Sequence, residues 1–290
     1  MTAVAEILVF GKTGQVGAEL ARLPGTRCLG RDMADLADPE ACARLIAQSG
    51  ARAVINAAAY TAVDRAETEE AQAHLVNAAA PGAMARACAQ AGIPFVHVST
   101  DYVFDGSGSA PWPVDAPTAP LGAYGRSKLA GEAAVRAAGG VHAILRTSWV
   151  FSAQGSNFLR TMLRLGAERP RLTVVADQIG GPTPADALAG ACLTIARQLV
   201  LAPEKSGTYH FAGAPDTSWA GFAREIMAQA GLDCGVADIA SADYPTPARR
   251  PANSRLDCAT TQAAFGLPRP DWRQGVARVL NQLQQKEQGR

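Results

Sequence analysis

No stretch of this chain stays apolar for the about eighteen residues that a bilayer span requires, so the sequence predicts no membrane-spanning segment and no membrane partner. Charge of one sign is also missing. Against 27 Lys and Arg stand 26 Asp and Glu, a net charge of +1, which leaves no basic field for nucleic acid or an anionic lipid surface. The six cysteines, at 28, 42, 88, 192, 234 and 258, fall in no CxxC or Cys/His spacing. That argues against a metal cluster or a disulfide framework and predicts buried, reduced thiols in the cytoplasm. Met1 to Phe10 lacks the basic region and cleavage site of a signal peptide, and its apolar run ends at a glycine-rich turn, as a core strand does.

What is present is globular: 290 residues, 48% hydrophobic and 18% charged. Strand-like and helix-like segments alternate. Residues 7–10, 53–56, 94–99 and 141–146 read as buried strands, and Cys28-Leu29-Gly30 ends another. Between them lie an amphipathic stretch to Leu23, a long Ala-rich helix from Glu67 to Gly92, and a helix over 123–138 stopped by Gly139-Gly140. This rhythm predicts an α/β fold, a Rossmann-type doubly wound parallel sheet with a small C-terminal substrate-binding lobe. After about residue 150 the rhythm loosens, with helices expected over 157–168, 186–199, 218–230 and 272–285 and strands over 172–176 and 208–211. Three prolines make 245–251 an extended loop, and the tail to Arg290 is polar. The domain expectation is a dinucleotide-binding core over 1–150, to which later segments return, and a mainly substrate-binding α/β lobe over 151–290.

Tyr124 and Lys128 stand four residues apart on the expected helix, hence on one face. An ammonium beside a phenol favours the phenolate and lowers the phenol's pKa, which predicts a proton donor to a carbonyl at cellular pH. Ser99 and Thr100 leave the strand before them, where a hydroxyl can orient that carbonyl; one of the two can equally serve only to cap the strand. Upstream, Gly11-Lys12-Thr13-Gly14-Gln15-Val16-Gly17 follows the first strand and opens a helix. Gly11 permits the tight turn, Gly14 admits a pyrophosphate, and Gly17 lets helix pack on strand. Coincidence becomes improbable when the Tyr/Lys pair, the strand-end hydroxyls and this turn occur together.

Four further clusters bear on ligands. Arg31, beside Asp32, stands where a NAD-selective fold usually has an acid; it can pair with the 2′-phosphate of NADP or be a solvated arginine. Asn56-Ala57-Ala58-Ala59-Tyr60-Thr61 leaves the third strand at its crevice end, where small residues let a flat cofactor lie close or simply pack. Trp149 either walls a substrate pocket or packs a lid on the core. Arg249, Arg250, Asn253 and Arg255 lie in or beside the proline-stiffened loop, and such arginines suit an anionic ligand.

Together these residues resemble the extended short-chain dehydrogenase/reductase family, and within it the dTDP-4-dehydrorhamnose reductase branch. The similarity runs nearly end to end, through Gly11–Gly17, Asn56–Thr61, Ser99-Thr-Asp-Tyr-Val-Phe104, Tyr124 to Lys128, Arg146–Val150, Pro245–Pro251 and Asn253-Ser-Arg-Leu256. The resemblance implies NADPH-dependent reduction, with NADH as an alternative, of the 4-keto group of dTDP-4-dehydro-β-L-rhamnose to dTDP-L-rhamnose, the final step of dTDP-rhamnose biosynthesis. It implies catalysis by Tyr124, Lys128 and Thr100. Cofactor contacts follow at Gly14, Gln15, Val16, Asp35, Leu36, Ala59, Tyr60, Thr61, Tyr124 and Lys128, to which the turn itself adds Gly11 and Gly17 and the 2′-phosphate reading adds Arg31. Substrate contacts follow at Thr100, Asp101 and Trp149, to which the anion-suited loop adds Arg250, Asn253 and Arg255. It also implies a homodimer linked by Mg2+, for which Glu19 and Asp186 sit near the matching positions, although Ala187 replaces the second acid. Two rivals remain. One is a sugar-nucleotide dehydratase or epimerase, although Tyr102 follows Thr100-Asp101 where dehydratases carry a glutamate. The other is a non-catalytic regulatory subunit of the methionine adenosyltransferase type.

Overall fold

A computed structural model describes residues 7–288; residues 1–6, the first six of the ten considered for a signal peptide, and the tail residues 289 and 290 lie outside it. The chain opens with β1 (Ile7–Phe10), α1 (Gln15–Leu20), β2 (Thr26–Leu29), α2 (Pro39–Ala47) and β3 (Ala53–Asn56). Helix α2 begins where Asp38 accepts the Ala41 N–H and Pro39 supplies a preset φ at the first position. Next come α3 (Val63–Ala66), α4 (Glu70–His74), α5 (Ala80–Ala91), β4 (Phe95–Thr100), α6 (Ala123–Ala137) and β5 (His142–Thr147).

The single Ala-rich helix expected from Glu67 to Gly92 is interrupted. Residues Leu75–Ala79 form a π-helical turn between α4 and α5. Pro81 explains it: proline has no N–H for the carbonyl of Asn77 four residues back, and its ring would clash there, so the turn widens.

The second half contains β6 (Val150–Phe151), α7 (Phe158–Glu168), β7 (Arg171–Val175), β8 (Ile179–Gly180), β9 (Thr183–Pro184), α8 (Ala185–Leu201) and β10 (Gly207–His210). It ends with β11 (Thr217–Ser218), α9 (Trp219–Ala230), β12 (Gly235–Ile239), β13 (Asn253–Ser254), α10 (Ala259–Phe265) and α11 (Trp272–Gln288). Residues 245–251 take no regular structure, as their prolines require.

Six parallel strands form the central sheet in the order β2-β1-β3-β4-β5-β10. Alternate strand residues serve opposite faces. Ile7, Val9, Ile55, Val96 and Leu145 pack on Leu188, Cys192, Ile195 and Leu199 of α8. Leu8, Phe10, Val54, Phe95 and Ile144 pack on Ile46 of α2 and on Met84 and Cys88 of α5. Helix α8 thus returns from the second half to cover the first half's sheet. A separate cluster joins α7, β7, α9 and α11 through Leu159, Met162, Leu172, Phe222, Ile226, Trp272 and Val276. Strand order reverses between β1 and β3, so the loops leaving their carboxyl ends diverge and leave a crevice, the place where open α/β sheets bind ligands.

Candidate active site

The turn after β1 is shaped by close approach. Gly11 has φ +104°, and a side chain at Gly17 would collide with the Gly11 carbonyl. The N–H groups of Gly11 and Lys12 both donate to the Leu29 carbonyl at the end of β2. Space remains at Gly14, where an added Cβ would meet only the Gly11 oxygen, at 3.4 Å. This open cradle, ahead of the unpaired first N–H groups of α1, fits the pyrophosphate of a dinucleotide. Gln15 donates to the Val150 carbonyl (3.3 Å) and accepts from Ser152 Oγ and Asn157 Nδ2 (3.0 Å each), tying the turn to the chain beyond β5. Val16 faces the core.

Arg31 and Asp35 are exposed beside this turn, whereas Leu36 is buried among the apolar residues of α2 and α5. Ala59 and Tyr60 are half-buried and Thr61 exposed. Asn77, in the π-helical turn, holds the Tyr60 backbone from both sides: its Oδ1 accepts the Tyr60 N–H (2.8 Å) and its Nδ2 donates to the Tyr60 carbonyl (3.0 Å). The Tyr60 hydroxyl donates to Glu69 (2.6 Å).

Thr100 and Tyr124 meet. The Thr100 hydroxyl lies by the Tyr124 phenol and opposes the rise of its pKa, while it donates to Asp101 and accepts the Tyr102 N–H (3.2 Å), and Tyr102 packs edge-on against the same ring with centroids 5.4 Å apart. Gly125 allows this, because a side chain there would strike the Tyr102 carbonyl. Ser99, the other strand-end hydroxyl, turns away from the phenol and donates to the buried Glu132 carboxylate (2.7 Å).

The expected lowering of the Tyr124 pKa is corrected here. Burial pushes the phenol up to about 12 against the opposing influence of the Thr100 hydroxyl, with the Asp101 charge adding to the rise. Lys128 shares the helix, but its side-chain nitrogen is engaged below the site. Nζ donates to the Val98 carbonyl (2.7 Å) and lies 3.3 Å from His97 Nε2. Lys128 is 1% exposed, and burial draws it down to about 8.

Asp101 is 2% exposed. One oxygen accepts from Thr100 (3.1 Å); the other, Oδ2, is buried without a hydrogen-bond partner among the described residues. Burial raises its pKa to about 6. Trp149 sits at φ +51°, a conformation rare for so bulky a residue, and stacks on Trp219 with centroids 3.7 Å apart. It lines a cavity of about 490 Å³ together with Gln15, Thr61, Asp64, Asn157 and Arg250. Tyr124 and Lys128 line neither this cavity nor the larger one, about 1060 Å³, which lies against α7 and β7 and is bordered by Arg169, Arg171, Gln178, Tyr244, Arg249 and Arg250.

Arg250 borders both spaces, and Asp64 of α3 grips it with two bonds of 3.1 and 3.0 Å. Asn253 and Arg255 do something else. Asn253 is buried and donates to the Ser107 and Ala110 carbonyls, and Arg255 bonds the Asn253 side chain. They fasten the 106–110 loop and line neither cavity.

The acids suggested for a metal are already engaged. Glu19 pairs with Arg22 (2.7 Å) and Asp186 with Arg278 (2.7 Å). Among the described residues no group of three or more His, Cys, Asp or Glu side chains could hold a metal ion. These donors do not fit magnesium.

Sequence reasoning missed Asp64, Asn77, Glu132 and His97. Glu132 lies one turn beyond Lys128 on α6 and accepts two bonds from Arg146 of β5 (2.9 and 2.8 Å). Burial would raise its carboxyl, but the arginine bonds hold it below the usual range. The i, i+4 spacing from Lys128 was the available signal.

Comparison with known proteins agrees with this architecture. The sequence profile of the RmlD substrate binding domain matches residues 5–285. A dTDP-4-dehydrorhamnose reductase of Burkholderia thailandensis is 47% identical over 294 residues, covering 96% of this chain and 99% of that protein. The crystal structure of a dTDP-4-dehydrorhamnose reductase from Clostridium acetobutylicum superposes with a TM-score of 0.89 at 33% identity, covering 96% of this chain and 99% of the other. The Bacillus anthracis dTDP-4-dehydrorhamnose reductase, solved in complex with NADP, gives a TM-score of 0.88 at 31% identity, covering 95% and 98%.

Proposed function

We propose a function on one premise: this chain belongs to the RmlD substrate binding domain family, and the relatives it matches are dTDP-4-dehydrorhamnose reductases. It is an oxidoreductase that reduces the 4-keto group of dTDP-4-dehydro-β-L-rhamnose to dTDP-L-rhamnose, the last step of dTDP-rhamnose biosynthesis. The observation that carries this reading is 47% identity sustained over 96% of the chain. The dehydratase, epimerase and regulatory-subunit readings have no comparable support.

NADPH is the proposed cofactor, and its reduced nicotinamide supplies the hydride. The open face at Gly14, with Gln15, Thr61 and Arg31 around it, would hold the dinucleotide. The protein's own residues handle the proton. At neutral pH the Tyr124 phenol, raised to about 12, is in its proton-bearing form and can donate to the oxygen of the sugar ketone. Thr100, beside the phenol, is placed to orient it. Lys128, close to neutrality, can replace the proton the phenol gives up. The unpartnered Asp101 Oδ2 suits a sugar hydroxyl, and Trp149 walls the ring. The larger cavity, bordered by four arginines, suits the dTDP diphosphate, with Arg250 between nucleotide and sugar.

Residues 151–290 would then be mainly the substrate-binding lobe, with α8 and β10 given back to the core. A homodimer in the cytoplasm fits the family and the six free cysteines; no helix of the described residues is long and apolar enough to cross a membrane. The test is oxidation of NADPH, with NADH alongside, on freshly made dTDP-4-dehydro-β-L-rhamnose, with the product identified as dTDP-L-rhamnose. Absence of sugar-dependent oxidation with both cofactors would end this reading.

A further inference from the structure

Beneath the site, three buried polar side chains form a line that runs from β3 through β4 to α6. Asn56, His97 and Lys128 are 0%, 0% and 1% exposed. The Asn56 amide has only one usable orientation. Its Oδ1 accepts the Ala58 backbone N–H (3.1 Å), so Nδ2, which can only donate, is the atom that faces His97 Nδ1 at 3.2 Å. His97 Nδ1 must therefore be the acceptor, and the imidazole proton sits on Nε2. That N–H points at Lys128 Nζ, 3.3 Å away. An ammonium there would set donor against donor. A neutral amine satisfies every atom: its lone pair takes the His97 N–H while one of its own hydrogens goes to the Val98 carbonyl at 2.7 Å.

We propose that Asn56 and His97 are positioning residues that act through Lys128, fixing an imidazole N–H against Nζ so that the Lys128 ammonium gives up its proton more readily than a free lysine does. This deepens the function proposed above, because a lysine poised in this way can exchange a proton with the Tyr124 phenol rather than stand as a fixed charge. Other groups around the line are accounted for. Glu132, one turn along α6, is the charge that favours the ammonium, but it is bound by Arg146 of β5 and Arg136 of α6, which blunts its pull. From the π-helical turn the polar group that reaches α6 is Asn77, which does not ionise. Tyr124 lies on the same helix and carries no charge at neutral pH, and Asp101 acts on Tyr124. Burial of His97 and Lys128 lowers the proton affinity of both, in the same direction as the geometry.

The test uses the full chain with 15N-labelled histidine and 13C-labelled lysine. A long-range 1H–15N spectrum reports which His97 nitrogen bears the proton, and the Lys128 13Cε shift is followed against pH. In the natural chain the proton is on Nε2. Asn56→Asp turns the donor into an acceptor, draws the proton to Nδ1 and offers Nε2 to an ammonium, which raises the proton affinity of Lys128 about tenfold or more. Asn56→Leu removes the amide donor without adding charge and gives a smaller rise in the same direction, which separates the tautomer from simple attraction by a new carboxylate. The proposal is overturned by a proton on Nδ1 in the natural chain, or by a Lys128 midpoint that stays put in whichever of the two variants fold. A chain that titrates as described but leaves dTDP-4-dehydro-β-L-rhamnose unreduced would keep this inference and remove the proposed function; the reverse outcome would do the opposite.

Discussion

Thr100, the last residue of β4, sets its hydroxyl beside the phenol of Tyr124, in the first turn of α6, and there opposes the rise that burial gives the phenol's pKa. Two elements that share no sequence neighbourhood are thereby aligned at the carboxyl edge of the sheet. A hydroxyl that can turn its proton from Asp101 to the phenol as charge develops there is worth about 1.5–3 kcal/mol, or roughly ten- to a hundredfold in rate. Thr100→Val should therefore lower kcat by about that factor. NADPH binding, measured by fluorescence titration, should be unchanged, because Thr100 is not among the residues proposed to hold the dinucleotide. Loss of cofactor affinity with intact kcat would assign Thr100 to the wrong ligand.

Glu132 and Arg146 form a buried bidentate pair, and Ser99 and Arg136 complete the bonding of the carboxylate. Removing the arginine leaves the buried carboxylate with only Ser99 and the half-exposed Arg136, at a cost toward the lower end of the about 3–5 kcal/mol of a stranded buried charge. Arg146→Met should lower stability by that amount in urea unfolding. The double change Arg146→Met with Glu132→Leu should recover most of it, since it leaves no unpaired charge. A double variant as unstable as the single one would mean that shape, and not charge, is what this pair supplies.

Asp101 gives a pH dependence with a definite sign. Its folded pKa, raised by burial from 3.8 to about 6, favours the protonated acid in the native chain. The stability it contributes is fully present below about pH 4 and is lost as pH rises through about 6, by an amount on the order of 3 kcal/mol. Asp101→Asn keeps a neutral group of the same shape and removes that dependence. Unfolding free energies of the two chains should therefore diverge between pH 4 and pH 7, with the variant gaining on the natural chain as pH rises. A constant difference across that range would contradict the raised pKa.

Much of this architecture was legible because its signals are local. Continuous apolar runs such as Ile7–Phe10 mark strands buried on both faces, and the glycines at 11, 14 and 17 mark the turn between β1 and α1. The spacing of Tyr124 and Lys128 placed both on α6, but spacing gives a face and not a partner. Lys128 turned to Val98 and His97 because β4 presents a carbonyl and an imidazole beneath the helix. Asp64 and Arg250 are 186 residues apart, and no pattern in the chain announces their pairing. The π-helical turn was hidden for a different reason. Pro81 is tolerated in a first helical turn and disruptive inside a helix, and only packing decides where the helix begins. Two-residue strands such as β8 and β13 carry too little pattern to be read at all.

The claim on which the rest depends is that the Tyr124 phenol gives its proton to the reduced ketone. Tyr124→Phe removes that proton and little else. The direct measurement is kcat of this variant on dTDP-4-dehydro-β-L-rhamnose, with NADPH affinity determined on the same preparation. A fall of about a hundred- to ten-thousandfold in kcat with cofactor binding intact is the expected result; turnover close to that of the natural chain would contradict it.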